Sequence, residues 1–182
     1  MRITDVEPIV LRADRVDTTR ADGTQDAFLV RVHTDEGLVG IGEADTSPYV
    51  ARTIVEMPAS HSIARGIREL LLDEDPLQLD WLWQLMFHGT DHYGRGGAAL
   101  HVISAIDMAL WDLAGKIAGR PVADLLGGRR LDEVPVYASE VMPETAEEVR
   151  SIAERAMIFF DRNFSTESMV RRMLRVAFSH TN

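Results

Sequence analysis

The stretch from about Ala98 to Ala118 constrains this chain more than any other feature. Gly94-Arg95-Gly96-Gly97 precedes it, and Gly119 with Pro121 follows, which is the punctuation of a helix start and stop. At about 100° per residue its continuous polar stripe is narrow, made of His101, Ser104, Asp112 and Lys116. A helix that is apolar on most of its circumference has to be covered on more than one side, so the rest of the chain must wrap it. Asp112 and Lys116 stand i,i+4, the spacing of a supporting ion pair worth about 0.3 kcal/mol. Asp107 falls beside Ile103, Ile106 and Leu110 on the wheel and is expected to be a core carboxylate with a polar partner.

Before that helix the pattern has period two. Ile3 to Arg12 reads as a strand, Ala13 to Gln25 as a long polar loop, and Phe28, Val30 and Val32 alternate with Leu29, Arg31 and His33. Asp35-Glu36-Gly37 supplies a turn, and Leu38 to Ala44 returns as the second arm of a hairpin. Gly40 and Gly42 share one face of that arm, which predicts close approach of a helix or another backbone. Thr46-Ser47-Pro48-Tyr49 reads as a loop. Ser60 is then expected to cap a helix with the stripe Ile63, Ile67, Leu70 and Leu71, and Asp75-Pro76 to end it. A further helix should carry Leu79, Leu82, Trp83, Met86 and Phe87. Past the long helix, Val134 to Ser139 reads as a strand and a helix begins near Glu144, the opening of a β/α unit. The pattern changes from Ile158 onward.

Composition narrows the function. The chain has 182 residues, 46% of them apolar, enough to bury a core. No run approaches the roughly 18 apolar residues of a membrane span, and MRITDVEPIV lacks the apolar centre of a signal peptide. A soluble, cytoplasmic protein is the expectation. A formal net charge of −10 argues against nucleic acid and anionic membranes as partners. With no cysteine, thiolate chemistry is excluded. Of the 19 basic side chains only Lys116 is lysine. Arginine stays protonated near neutrality, so a mechanism needing two lysine bases is excluded.

Three stretches, in order, resemble one family. The hairpin Thr34-Asp35-Glu36-Gly37-Leu38-Val39-Gly40-Ile41-Gly42-Glu43-Ala44 is similar to the cap-domain hairpin of mandelate racemase and muconate lactonizing enzymes, in the enolase superfamily. The block Ala105-Ile106-Asp107-Met108-Ala109-Leu110-Trp111-Asp112-Leu113-Ala114-Gly115-Lys116, followed by Gly119-Arg120-Pro121-Val122 and Leu125-Leu126-Gly127-Gly128, resembles that family's most recognisable N-terminal segment. Val134-Pro135-Val136-Tyr137-Ala138-Ser139 looks like the first strand of its barrel. The resemblance covers about Met1 to Ala156. It implies an α+β fold: an enolase-like N-terminal cap, with a three-stranded antiparallel sheet plus helices, followed by only the first β/α unit of a truncated barrel. The expected divisions are 1–130 for the cap, 131–157 for that unit and 158–182 for an atypical tail.

The family's reaction removes a proton beside a carboxylate, with Mg²⁺ stabilising the enediolate and Lys or His as base. Its Lys-x-Lys pair belongs to the second barrel strand and its acidic metal ligands to the next three, yet no lysine follows Lys116. The chain is therefore expected to have no catalytic residues and no metal ligands of its own, and to bind no Mg²⁺. The resemblance implies a parent enzyme acting on a small carboxylate, a sugar acid, as dehydratase or racemase. Two loops resemble the family's specificity loops: one from about Asp14 to Gln25, with Arg15, Thr18 and Arg20, and one with Thr46, Ser47 and Tyr49. These six residues are the candidate substrate-binding set. Self-association is expected through the unpaired edge of Val134 to Ser139. Two other readings stand beside this one: a non-catalytic cap module for assembly or binding, and a metal site of His88 and His92, which lacks a full ligand set. Gly94 to Gly97 reads as a flexible helix start rather than an anion cradle.

Overall fold

The computed structural model describes residues 1–18, 25–94, 96–131, 133–134 and 145–163, with no account of the side chains at 156 and 158–163. The chain divides into two compact units, Met1–Arg130 and Leu131–Asn182.

In the first unit, β1 (Ile3–Arg12), β2 (Asp26–Thr34) and β3 (Val39–Ala44) form an antiparallel sheet in that order. Val6 pairs with Val32, and Val30 with Gly42, which puts Val6, Phe28, Val30, Val32, Gly40 and Gly42 on the buried face. The helices are α1 (Pro48–Glu56), α2 (Ile67–Leu71), α3 (Leu79–Gly89), α4 (Ala98–Ala118) and α5 (Val122–Leu125). The long helix α4 runs over the limits its punctuation predicts, from Gly97 at φ 59° to a left-handed Gly119 cap at φ 61°. By length and composition it is apolar enough to cross a membrane, which qualifies the reading that no segment approaches a span. Its apolar side chains are instead used in packing: Val102, Ile103, Ile106, Leu110 and Leu113 are buried.

The two strand glycines explain how α4 comes so close. A Cβ on Gly42 would run into the carbonyl oxygen of Ala105, and one on Gly40 into that of Ala109. The small residues Ala105 and Ala109 face the bare strand, so helix backbone and strand backbone touch.

The exposed stripe of α4 does more than hold an ion pair. Asp112 Oδ2 and Lys116 Nζ lie 2.6 Å apart, as the spacing predicts. The same carboxylate accepts the Ile41 N–H at 2.9 Å, and the ammonium donates to the Val39 carbonyl at 2.7 Å. Those backbone groups belong to the outer edge of β3, so the pair caps a sheet edge that could otherwise recruit another strand. On the β1 edge, Ile3 exchanges hydrogen bonds with Asp73 and Glu74, and Arg68 Nε donates to the Val6 carbonyl.

The region between β3 and α3 departs from expectation. Pro48 and Tyr49 are helical, because Pro is compatible with the first turn of a helix, where its missing N–H has no partner to lose. Ala51, Ile54 and Val55 give α1 its buried face. Ser60 caps no helix: its N–H bonds the Ala64 carbonyl in a tight turn, and Ile63 is exposed. Helix α2 starts only after Gly66, and its buried residues are Ile67, Leu70 and Leu71.

In the second unit α6 (Ala146–Asn163) opens with Thr145 and Glu148 in a reciprocal capping box: the Glu148 N–H donates to Thr145 Oγ1, and the Thr145 N–H to Glu148 Oε2. The helix continues through residue 158, so the change of sequence character there does not end it. Of the expected strand Val134 to Ser139, all but Val134 lies outside the described residues.

Candidate functional site

The antiparallel order brings the end of β1, the start of β2 and the end of β3 to one side of the sheet, since Arg12 pairs with Asp26 and Phe28 with Ala44. The loops that follow β1 and β3 therefore leave the sheet at the same end. The base of the first is closed twice. Ala13 N–H donates to the Gln25 carbonyl at 2.7 Å, and the Gln25 amide clasps the Asp17 backbone, accepting its N–H at 2.6 Å and donating to its carbonyl at 2.9 Å. With the base fixed in this way, Arg15 and Thr18 are exposed to solvent. Arg20 lies outside the described residues.

In the second loop Thr46 is half-buried and Ser47 exposed. Ser47 is the N-cap of α1 by position, with no side-chain cap bond, so its hydroxyl is not committed to the helix. Tyr49, 53% exposed on the first turn of α1, presents its ring to solvent. Four of the six candidate residues (Arg15, Thr18, Ser47 and Tyr49) are thus exposed on the loops at one end of the sheet or directly beyond them. As a group they offer a guanidinium and hydroxyls, suited to a carboxylate and to a hydroxylated chain.

The two loops, 13–25 and 45–49, contain no lysine or histidine to serve as a base. Lys116 is occupied at the edge of β3, where its ammonium bonds Asp112 and Val39. Mg²⁺ takes several oxygen ligands in near-octahedral geometry. Among the described residues there is no group of three or more His, Asp or Glu placed to hold a metal ion. His88 and His92 do not share a helix, because α3 ends at Gly89; His88 Nδ1 lies 3.8 Å from the Asp91 carboxylate.

Asp107 corrects another expectation. It is half-buried on α4 with no hydrogen-bond or ion-pair partner among the described residues, where a satisfied core carboxylate was predicted. Burial, and then the like charge of Asp80 on α3, raise its pKa above the ordinary carboxylate value. A raised carboxyl pKa means that the fold binds the proton more tightly than the unfolded chain does. Its contribution to stability is then fully present below the ordinary carboxylate pKa and is lost as pH rises through the folded value. Asp107→Asn should therefore raise the melting temperature at pH 7. Near pH 3 the two proteins should melt together. A variant less stable than the parent chain at pH 7 would mean that the charge has a partner.

Residues 6–127 match the family described as mandelate racemase / muconate lactonizing enzyme, N-terminal domain. The L-rhamnonate dehydratase of Saccharopolyspora erythraea is 34% identical over 122 residues, 67% of this chain and 29% of that protein. The D-mannonate dehydratase of Novosphingobium aromaticivorans is 32% identical over 123 residues, 68% of this chain and 29% of that protein. Among solved structures, the 3,6-anhydro-D-galactonate cycloisomerase of Zobellia galactanivorans superposes with a TM-score of 0.70 at 28% identity, over 90% of this chain and 41% of that one. The chain thus spans less than a third of the length of these two dehydratases. A core helix packed on a glycine strand, a three-stranded sheet and a match across 6–127 lead to one assignment: the chain belongs to the mandelate racemase/muconate lactonizing enzyme family of the enolase superfamily, as its N-terminal domain.

Proposed function

We propose that this chain provides the capping and substrate-specificity region of a Mg²⁺-dependent sugar-acid dehydratase or racemase, and that it does not catalyse the reaction with its own residues. The observation that carries the proposal is the delivery of two polar loops to one end of the sheet, with Arg15, Thr18, Ser47 and Tyr49 exposed. Arg15, and Arg20 by its place in the same loop, would meet the carboxylate; Thr18, Thr46 and Ser47 would meet hydroxyls; Tyr49 would close over the chain of the acid. The similarity to dehydratases named for rhamnonate and mannonate supports a sugar acid. Cytoplasmic localisation and self-association through the edge beginning at Val134 belong to the same reading.

Two measurements test it. The first joins residues 1–130 to the barrel portion of the L-rhamnonate dehydratase and assays sugar acids. An active chimera whose KM rises on Arg15→Ala while kcat holds would support a specificity role, and a kcat loss with KM unchanged would contradict it. The second incubates the 182-residue chain with Mg²⁺ and sugar acids in D₂O and follows α-deuterium by NMR. Removing such a proton needs both enediolate stabilisation and a base within about 3 Å. The expected result is exchange no faster than the protein-free control. Exchange abolished by EDTA would refute the non-catalytic part of the proposal.

A further inference from the structure

Two loops distant in sequence meet at a pair of imidazoles. His61 sits in the turn between α1 and α2, and His92 follows α3; their ring centroids are 4.7 Å apart with an interplanar angle of 76°. Backbone bonds hold the loops together. His92 N–H donates to the Ile63 carbonyl at 2.9 Å and Arg65 N–H to the Gly89 carbonyl at 3.0 Å. The Tyr93 hydroxyl donates to the Arg65 carbonyl at 2.7 Å, and burial pushes its pKa up to about 12, which keeps it a neutral donor. The turn that carries His61 is closed by Ser60 N–H to the Ala64 carbonyl at 2.9 Å and by Ala64 N–H to the His61 carbonyl at 3.0 Å.

The ring nitrogens are not equivalent. Ser60 Oγ lies 2.7 Å from His61 Nδ1 and engages that nitrogen, which leaves Nε2 as the one to meet a ligand. Both histidines are exposed, which leaves room for waters to complete a coordination sphere. The rings stand edge to face, so His92 would turn about χ2, a broad torsion in histidine, to share an ion with His61.

We propose that His61 and His92 form a two-imidazole site for a borderline divalent transition ion, of the class of Ni²⁺, Cu²⁺ and Zn²⁺, which pins the 58–66 segment to the start of the 90–97 segment. Imidazole nitrogens suit these ions, whereas Mg²⁺ prefers oxygen, so the site is separate from any Mg²⁺ chemistry of the family. His88, the partner that i,i+4 spacing would choose for His92, lies beside Asp91 and takes no part.

The experiment is a calorimetric titration of the full chain with Ni²⁺ at pH 7.5, with and without excess Mg²⁺. One saturable equivalent is expected, unaffected by Mg²⁺. His61→Gln and His92→Gln should each weaken it at least about tenfold, and the double variant little further, because the two rings act as a unit. His88→Gln should leave it unchanged. Ni²⁺ should also raise the melting temperature of the parent chain and not of His92→Gln. The proposal is overturned if the parent chain shows no saturable binding, if His61→Gln or His92→Gln binds as the parent does, or if His88→Gln weakens binding equally. Circular dichroism of the exposed-loop variants separates loss of the site from loss of the fold.

Discussion

Gly42→Ala should destabilise the first unit by at least about 3 kcal/mol, although the same exchange often stabilises proteins. Replacing Gly by Ala normally gains about 0.4–1 kcal/mol by restricting the unfolded chain. At Gly42 that gain is overwhelmed, because the new methyl would occupy the space of the Ala105 carbonyl, with the Ala109 nitrogen also in reach. Both are helix backbone and cannot swing aside like a side-chain tip. Relief requires lifting α4 off the sheet, which opens the contact that buries most of the core. At about 2–4 °C per kcal/mol for a chain of this length, the melting temperature should fall by roughly 6–12 °C. Gly96→Ala is the control: nothing lies within 4 Å of its Cβ position and its φ is not in the left-handed region, so it should melt within about 2 °C of the parent chain. Equal melting of the two variants would mean that α4 does not rest on β3 as described.

That contact also marks how far sequence reasoning reaches. The long helix, its glycine cap and the hairpin were legible because each has an unbroken period and clear punctuation. Gly40 and Gly42 on one face even announced a close neighbour, though not which residues it would present. The 46–72 segment departs from its sequence pattern for two local reasons. Pro48 reads as a breaker in isolation yet fits the first turn of α1. Ile63, Ile67, Leu70 and Leu71 match a helical stripe even though the first of them is on an exposed turn. For Asp112 and Lys116 the spacing revealed the ion pair, but their grip on Val39 and Ile41 depends on where the edge of β3 falls in space. Asp107 was expected to find a partner because burial usually demands one, and only the packing of α3 shows that its neighbour is another carboxylate. The candidate loops were legible as polar segments. Their convergence follows from strand order, and the meeting of His61 with His92 left no mark in local sequence.

Leu110→Ala should cost about 2–5 kcal/mol, while Met108→Ala, two residues away on the same helix, should change stability by no more than about 0.5 kcal/mol. Leu110 is fully buried in the core cluster with Ile106, Leu113, Val30 and Val32. Truncating it removes apolar area from the centre and leaves a cavity that the surrounding residues can close only in part. Met108 is 48% exposed, so its truncation empties no enclosed volume. Urea titration followed by far-ultraviolet circular dichroism distinguishes the two, because the midpoint should drop for Leu110→Ala at an unchanged slope. The slope matters as much as the midpoint. If Leu110→Ala kept the midpoint, α4 would not be the central helix. If it lowered the slope sharply, the first unit would be losing cooperativity, and the melting comparison for Gly42→Ala would then have to be repeated on residues 1–130 alone. If Met108→Ala proved as costly as Leu110→Ala, the exposed side of α4 would be covered in solution, and the surface around Asp107 would be where to look for what covers it.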